Sequence, residues 1–288
     1  MTNAFHPPSR EMLFEPARIV QPANWAGHVP FAAWLMANHR PARFVELGTH
    51  TGLSYTAFCQ AVAEQDLATQ CYAVDTWTGD EHAGHYEGQV FAELQAYHDP
   101  KYGHFSRLLR MTFDEACAYF SDASIDLLHI DGLHTYDAVK HDFETWRPRL
   151  SERAVVLFHD TNVRERGFGV WQLWEELSAQ YPAIEFCHSH GLGVLLVGSD
   201  IPPALRELET LYRRDPAYVR QLFGVLGQRI ELLAQIQAWD AFHAALDHEI
   251  EKRDHLLEDR QRQLDALHAS HSWRLTAPLR ALKRRLRR

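Results

Sequence analysis

The sequence predicts an α/β fold built on an open, largely parallel sheet, and three observations carry that expectation. From residue 42 onward, short apolar runs alternate with helical patterns, the signature of repeated βαβ units. The run Arg43-Phe44-Val45-Glu46-Leu47 passes through Gly48-Thr49-His50-Thr51-Gly52 into the amphipathic stretch Leu53 to Glu64, giving strand, glycine turn and helix in succession. Three further apolar runs close with an acid, at Asp75, Asp131 and Asp160. Open parallel sheets hold ligands at the carboxyl ends of their strands, so these acids mark the expected site.

The elements follow in order. Residues 1–24 are proline-rich and aperiodic, an arm expected to pack on the domain. Trp25 to His39 carries apolar residues at helical spacing and ends before Pro41, where a helix should stop. Strands are expected at Arg43–Leu47, Cys71–Asp75, Phe105–Met111, Ile125–Asp131, Ala154–Asp160, Ile184–His188 and Gly193–Val197. Helical patterns lie between the first five, notably Thr112–Phe120 and Thr135–Leu150. Only a short turn separates the last two strands, so the seventh should run antiparallel, at the end of the sheet. Thr76 to His104 is long for one connection and holds Trp77, His82, His85, Tyr86, Tyr97, His98, Tyr102 and His104. It reads either as a lid or substrate wall, or as a plain helix with decorated loops.

After Ile201-Pro202-Pro203 the character changes. From about Tyr218 to His268 there is no proline. Ile236, His243, Ile250, Leu257 and Leu264 fall at position a of a heptad, with Trp239, Leu246, Arg253, Arg260 and Leu267 at d. That is a weak coiled-coil seam. A helix of about 50 residues would reach roughly 75 Å, so it should either self-associate into a homo-oligomer or fold back on the domain. Residues 272–288 hold seven basic residues and no acidic one, with Trp273, Leu275, Leu279, Leu282 and Leu286 able to share a face. Such a segment suits an anionic membrane surface, or else is a solubilising tail. The chain thus divides into a domain over 1–200, a helical region over 201–270 and a basic amphipathic tail over 271–288.

Composition narrows the class. A chain of 288 residues with 46% hydrophobic content can build one α/β domain and an appendage. A net charge of −9 argues against nucleic-acid binding by the chain as a whole. Cys59, Cys71, Cys117 and Cys187 form no C-x-x-C pattern, so reduced thiols are expected rather than disulfides or zinc. No signal peptide and no apolar run of spanning length is read, so a cytoplasmic protein is expected.

The first turn reads E-x-G-x-x-x-G, one glycine short of the pyrophosphate pattern G-x-G-x-x-G and headed by a carboxylate. A carboxylate there suits a cationic, hydroxyl-rich ligand, which points to S-adenosylmethionine (SAM). Glu46, Gly48, Thr49, His50, Gly52, Ser54, Asp75, Thr76 and Thr112 are the candidate cofactor residues, with Asp75 placed to accept ribose hydroxyls. Asp131 and Asp160, on adjacent strands, would offer two hard carboxylates to Mg²⁺ or another divalent cation. His159 could be a further ligand or could merely orient Asp160. His134, three residues past Asp131, is the candidate general base, an imidazole able to accept a proton near neutral pH.

The segments F-V-E-L-G-T-H-T-G-L-S-Y, Y-A-V-D-T-W, L-L-H-I-D-G-L-H-T-Y-D-A-V-K-H-D-F and V-V-L-F-H-D-T resemble, in that order, the class I SAM-dependent methyltransferases grouped as methyltransferase family 24. The resemblance covers roughly residues 25–199. It implies a Rossmann-like seven-stranded sheet with an antiparallel last strand. More distantly the chain is similar to catechol and macrolide-sugar O-methyltransferases. In those enzymes an acid after strand four and acidic or amide groups after strand five hold Mg²⁺, with a base three residues beyond the first acid. Asp131, Asp160 and His134 fall on those positions, while His159 and Thr161 depart from the pattern. The tail S-W-R-L-T-A-P-L-R resembles a segment at the C-termini of bacterial surface-polysaccharide glycosyltransferases and their partners. Together these imply a metal-assisted O-methyltransferase acting on a sugar hydroxyl of a surface glycan or its precursor at the inner membrane face. A small phenolic or natural-product acceptor, or a non-catalytic scaffold, stands as the alternative. A nicotinamide oxidoreductase is disfavoured by the missing glycine.

Overall fold

The computed structural model describes residues 9–80, 84–85 and 88–286. His82 and Tyr86 of the aromatic segment, residues 1–8 of the N-terminal arm, and Arg287 and Arg288 of the tail lie outside the described residues. Among the described residues, seven strands form one mixed sheet: β1 (Arg43–Leu47), β2 (Gln70–Asp75), β3 (Ser106–Arg110), β4 (Ile125–Ile130), β5 (Leu150–His159), β6 (Ala183–Phe186) and β7 (Leu192–Leu196). Their order across the sheet is β3-β2-β1-β4-β5-β7-β6. β1 to β5 pair in parallel, and β7 is antiparallel to both β5 and β6.

The antiparallel strand is therefore one place in from the edge, not at the end of the sheet as the short connection suggests. A hairpin fixes that β6 and β7 pair but not which of them is outermost. Burial decides it. Every residue of Leu192-Gly193-Val194-Leu195-Leu196 is buried, whereas β6 alternates buried with half-buried positions. The wholly apolar strand takes the inside and the amphipathic one the edge.

Helices cover both faces. On one side α1 (Val29–His39) and α2 (Leu53–Glu64), with α3 (Gln89–Tyr102), pack Phe31, Leu35, Phe58 and Leu94 against Phe44, Leu127 and Leu157. On the other, α4 (Phe113–Cys117), α5 (Tyr136–Trp146) and α6 (Val170–Ser178) bury Phe143, Trp146 and Trp174 over Val45, Leu128 and Phe158. α3 lies in the long aromatic segment, and its Leu94, His98 and Tyr102 are buried, so the segment supplies core packing as well as a rim.

The compact unit runs to Ala234, past residue 200, because α7 (Pro203–Arg214) and the first part of α8 (Pro216–Ala269) also pack into it. Leu205, Leu208, Val219, Phe223, Ile230 and Ala234 join the core beneath α1. The second unit, Gln235–Arg288, holds the remainder of α8, then α9 (His271–Leu275) and α10 (Ala277–Arg285). There the expected heptad residues Ile236, Trp239, Ile250, Leu257, Leu264 and Leu267 are exposed. Among the described residues, no helix is long and apolar enough to cross a membrane.

Candidate active site

The chain order reverses between β1 and β4, the place where an open sheet leaves a crevice beyond its strand ends. A cavity of about 540 Å³ opens there, within the range of small-molecule sites. Gly48 and Gly52 both take positive φ, +85° and +80°. At Gly48 an added Cβ would stand 2.1 Å from the Asp131 carbonyl oxygen, so the turn after β1 can lie against the end of β4 only with glycine there. Asp75 fastens this turn. Its Oδ2 accepts the backbone N–H groups of Thr49 (2.9 Å) and His50 (2.8 Å), and its Oδ1 accepts that of Trp77 (2.7 Å). A carboxylate offers about four acceptor positions, so Oδ1 keeps one for a ligand hydroxyl. Thr112, which caps α4 in a reciprocal pair with Glu115, lines the same wall as Ser54 and Thr76.

Glu46 is placed differently from the other cofactor candidates. It is fully buried and not part of the cavity wall. The Trp25 indole donates to His129 Nε2 (3.2 Å), which leaves Nδ1–H of His129 to donate to Glu46 Oε2 (2.9 Å). Burial pushes the Glu46 carboxyl up, and the His129 hydrogen bond opposes it. This chain ties residues preceding α1 to the ends of β1 and β4.

The acidic end of the cavity gathers Asp131, His134, His159, Asp160 and His190. His134 Nε2 lies 2.9 Å from Asp160 Oδ2 and 3.5 Å from Asp131 Oδ1. Below them, His159 Nδ1 lies 3.2 Å from Asp131 Oδ1 and 3.4 Å from Asp160 Oδ2. Its other nitrogen, Nε2, donates to the Ser189 carbonyl (3.0 Å). With both nitrogens facing acceptors, His159 is an imidazolium. Burial alone would lower its pKa, but the two carboxylates outweigh that and hold it well above the usual histidine value. Burial would likewise raise Asp131 and Asp160, yet the His159 charge and the His134 hydrogen bonds hold both well below the carboxylate range. For His134, burial lowers, the same two aspartates raise, and the balance is a pKa of about 9. The residue expected to accept a proton near neutrality is thus protonated there in this arrangement.

Asp131, His134 and Asp160 bring one ligand atom each within 4.8 Å of one another. Two ionised carboxylates and an imidazole fit a divalent cation tolerant of mixed oxygen and nitrogen donors. His159 is not in that set, because its Nδ1 carries a proton and its Nε2 is spent on Ser189. His134 belongs to the set that can hold a cation, and His159 lies against Asp131 and Asp160.

Segments with no sequence motif complete the site. Pro22, Asn24 and Trp25 line one wall, and Arg166 and Phe168 another. The Phe168 ring stacks on His134 at 4.5 Å and 7°, and Gly169 N–H donates to the His134 carbonyl (2.7 Å). Ser189, with φ +46°, offers its carbonyl to both His159 and His28 Nε2 (3.2 Å). Its hydroxyl accepts from Gly27 N–H (3.2 Å) and donates to Glu231 of α8. The density of histidines in the sequence, 19 in all, is the one signal that pointed toward such a network.

Residues 45–161 match the model of a family described as a methyltransferase domain. The chain thus resembles a methyltransferase domain from β1 to the end of β5. It is also 57% identical over 184 residues to the uncharacterized protein y4gI of Sinorhizobium fredii, covering 64% of this chain. The chain spans about a fifth of the length of that relative, 20%. Among solved structures, the O-methyltransferase TomG of Streptomyces achromogenes, involved in tomaymycin synthesis and bound to SAM, shares 14% identity at a TM-score of 0.46, covering 63% of this chain and 83% of its own. The SAH-bound methyltransferase PaMTH1 of Podospora anserina shares 13% at a TM-score of 0.44, covering 58% and 76%.

Proposed function

We propose that the chain is a SAM-dependent O-methyltransferase, metal-assisted, that methylates a sugar hydroxyl of a bacterial surface polysaccharide or its precursor. The observation that supports this best is that Asp131, His134 and Asp160 meet in the same cavity as the Gly48 turn and Asp75. The turn and Asp75 would hold SAM, with the remaining acceptor position of Asp75 Oδ1 facing its ribose. A divalent cation on Asp131 and Asp160 would lower the pKa of an acceptor hydroxyl, as metals do for bound water. His134 Nε2 takes the acceptor proton. That atom cannot both hold a cation and take a proton, so the base role requires the metal to rest on the carboxylates. Trp25, Phe168 and Leu133 add apolar surface to the cavity lining, which helps to exclude water.

The deciding experiment incubates the full chain with methyl-labelled SAM and fractionated envelope glycans, with and without EDTA. Label is expected in a glycan fraction, abolished by EDTA and restored by Mg²⁺ or Mn²⁺. Full activity in EDTA overturns the metal role. Label transferred only to phenolic acceptors overturns the glycan.

A further inference from the structure

We propose that α10 docks the protein on an anionic lipid bilayer surface. At 3.6 residues per turn, Leu279, Leu282 and Leu286 lie within about 60° of one another around the helix. All three are exposed, at 67%, 58% and 80%. Arg280, Arg284 and Arg285 occupy the remaining circumference, and Lys283 sits at the margin, where its stem can lie along apolar surface with the charge outside. No acidic residue follows Asp265.

Charge complementarity selects the occupant. Residues 272–288 carry seven basic groups, which leaves 22 basic against 38 acidic residues in the rest of the chain. An anionic surface repels that remainder and attracts this segment alone. A leucine ridge flanked by cations lies in the plane of such a surface, its apolar side among the acyl chains. Nucleic-acid phosphates would satisfy the arginines but leave the leucines in water. The Arg280 guanidinium stacks on the Trp273 ring at 3.7 Å. The leucines carry the insertion, and a single short helix gives weak, reversible, salt-sensitive binding.

The test sediments the full chain with vesicles of phosphatidylcholine alone and of phosphatidylcholine with phosphatidylglycerol. Binding is expected only to the anionic vesicles and should fall as salt is raised. Arg284→Ala with Arg285→Ala should weaken it by about 25-fold, roughly fivefold per residue. Leu279→Asp with Leu282→Asp should abolish it. Both pairs are exposed, so circular dichroism should show an unchanged melting curve. Absence of binding to anionic vesicles, or equal binding to neutral ones, overturns the proposal. So does binding indifferent to the leucine pair, or tighter binding to duplex DNA than to vesicles, which would leave only a basic tail.

Discussion

In a metal-free site His134 should titrate near pH 9, and this can be read directly. Its Nε2 sits 2.9 Å and 3.5 Å from two carboxylates, and its side chain is 15% exposed, so solvent screens the pair little. A shift from 6.5 to about 9 is worth on the order of 3 kcal/mol. The folded-state pKa is raised, so this stabilisation is fully present below pH 6.5 and is lost as pH climbs through about 9. At pH 7 only about one molecule in a hundred would carry the neutral imidazole. Any residual turnover in EDTA should then rise about tenfold per pH unit up to that point. The assay follows imidazole C–H signals by NMR against pH in EDTA, with His134 assigned as the signal missing from His134→Gln. Asp160→Asn, which removes the nearer charge, should bring the midpoint down toward 6.5. A wild-type midpoint at or below 7 would refute the electrostatic account of the cluster. So would a melting-temperature difference between wild type and His134→Gln that does not change between neutral pH and pH 9.

Three other outcomes are expected. Gly48→Ala forces a φ of +85° on alanine, about 1–3 kcal/mol, and drives its Cβ into the Asp131 carbonyl. Calorimetry should show SAM affinity lost and the melting temperature lowered, and intact affinity would remove the turn from the cofactor site. Ser189→Ala leaves Gly27 N–H and Glu231 without their shared partner, a loss of about 1–3 kcal/mol. Turnover should fall more than SAM affinity, because the Ser189 carbonyl orients His159; equal losses would make the loop a fold element only. The exposed heptad residues of α8 should pair with a second copy, so light scattering should give a mass above 33.3 kDa that Leu257→Glu reduces. A monomer for the wild type would rule this out.

Most of the sheet was legible because central parallel strands are buried on both faces and read as unbroken apolar runs. The second half of β5 shows this plainly, and Ile125–Ile130 is buried throughout although Asp126 and His129 interrupt its apolar run. Acids closing such runs stand out, and Asp75, Asp131 and Asp160 all line the crevice. The position of β7 was not legible, since pairing within a hairpin says nothing about which strand is outermost. Nor was the extension of the compact unit to Ala234: Phe223 and Ile230 look the same in sequence whether they cover α1 or face another helix. Phe168 and Ser189 act through tertiary proximity from segments without periodicity, and the helical spacing of Trp25 to His39 does not report which loops Trp25 and His28 meet.

The convergence of His134 and His159 on Asp160 has a more specific cause. Along a regular strand, successive side chains point to opposite faces, which would keep His159 and Asp160 apart. Asp160, however, leaves β5 with φ +61°, a left-handed conformation that aspartate tolerates better than most residues. That single backbone rotation turns its carboxylate back toward both His159 and His134. The two carboxylates then face His134 and His159, with His190 Nδ1 3.2 Å from Asp160 Oδ1. A divalent cation entering it must displace the proton of His134, since His159 is fixed by Ser189 and buried. Metal and proton therefore compete for the same two aspartates, and the base becomes available only once that proton has gone. The sequence names Asp131, His134, His159 and Asp160, but their protonation is set by burial and mutual contacts that only the fold brings about.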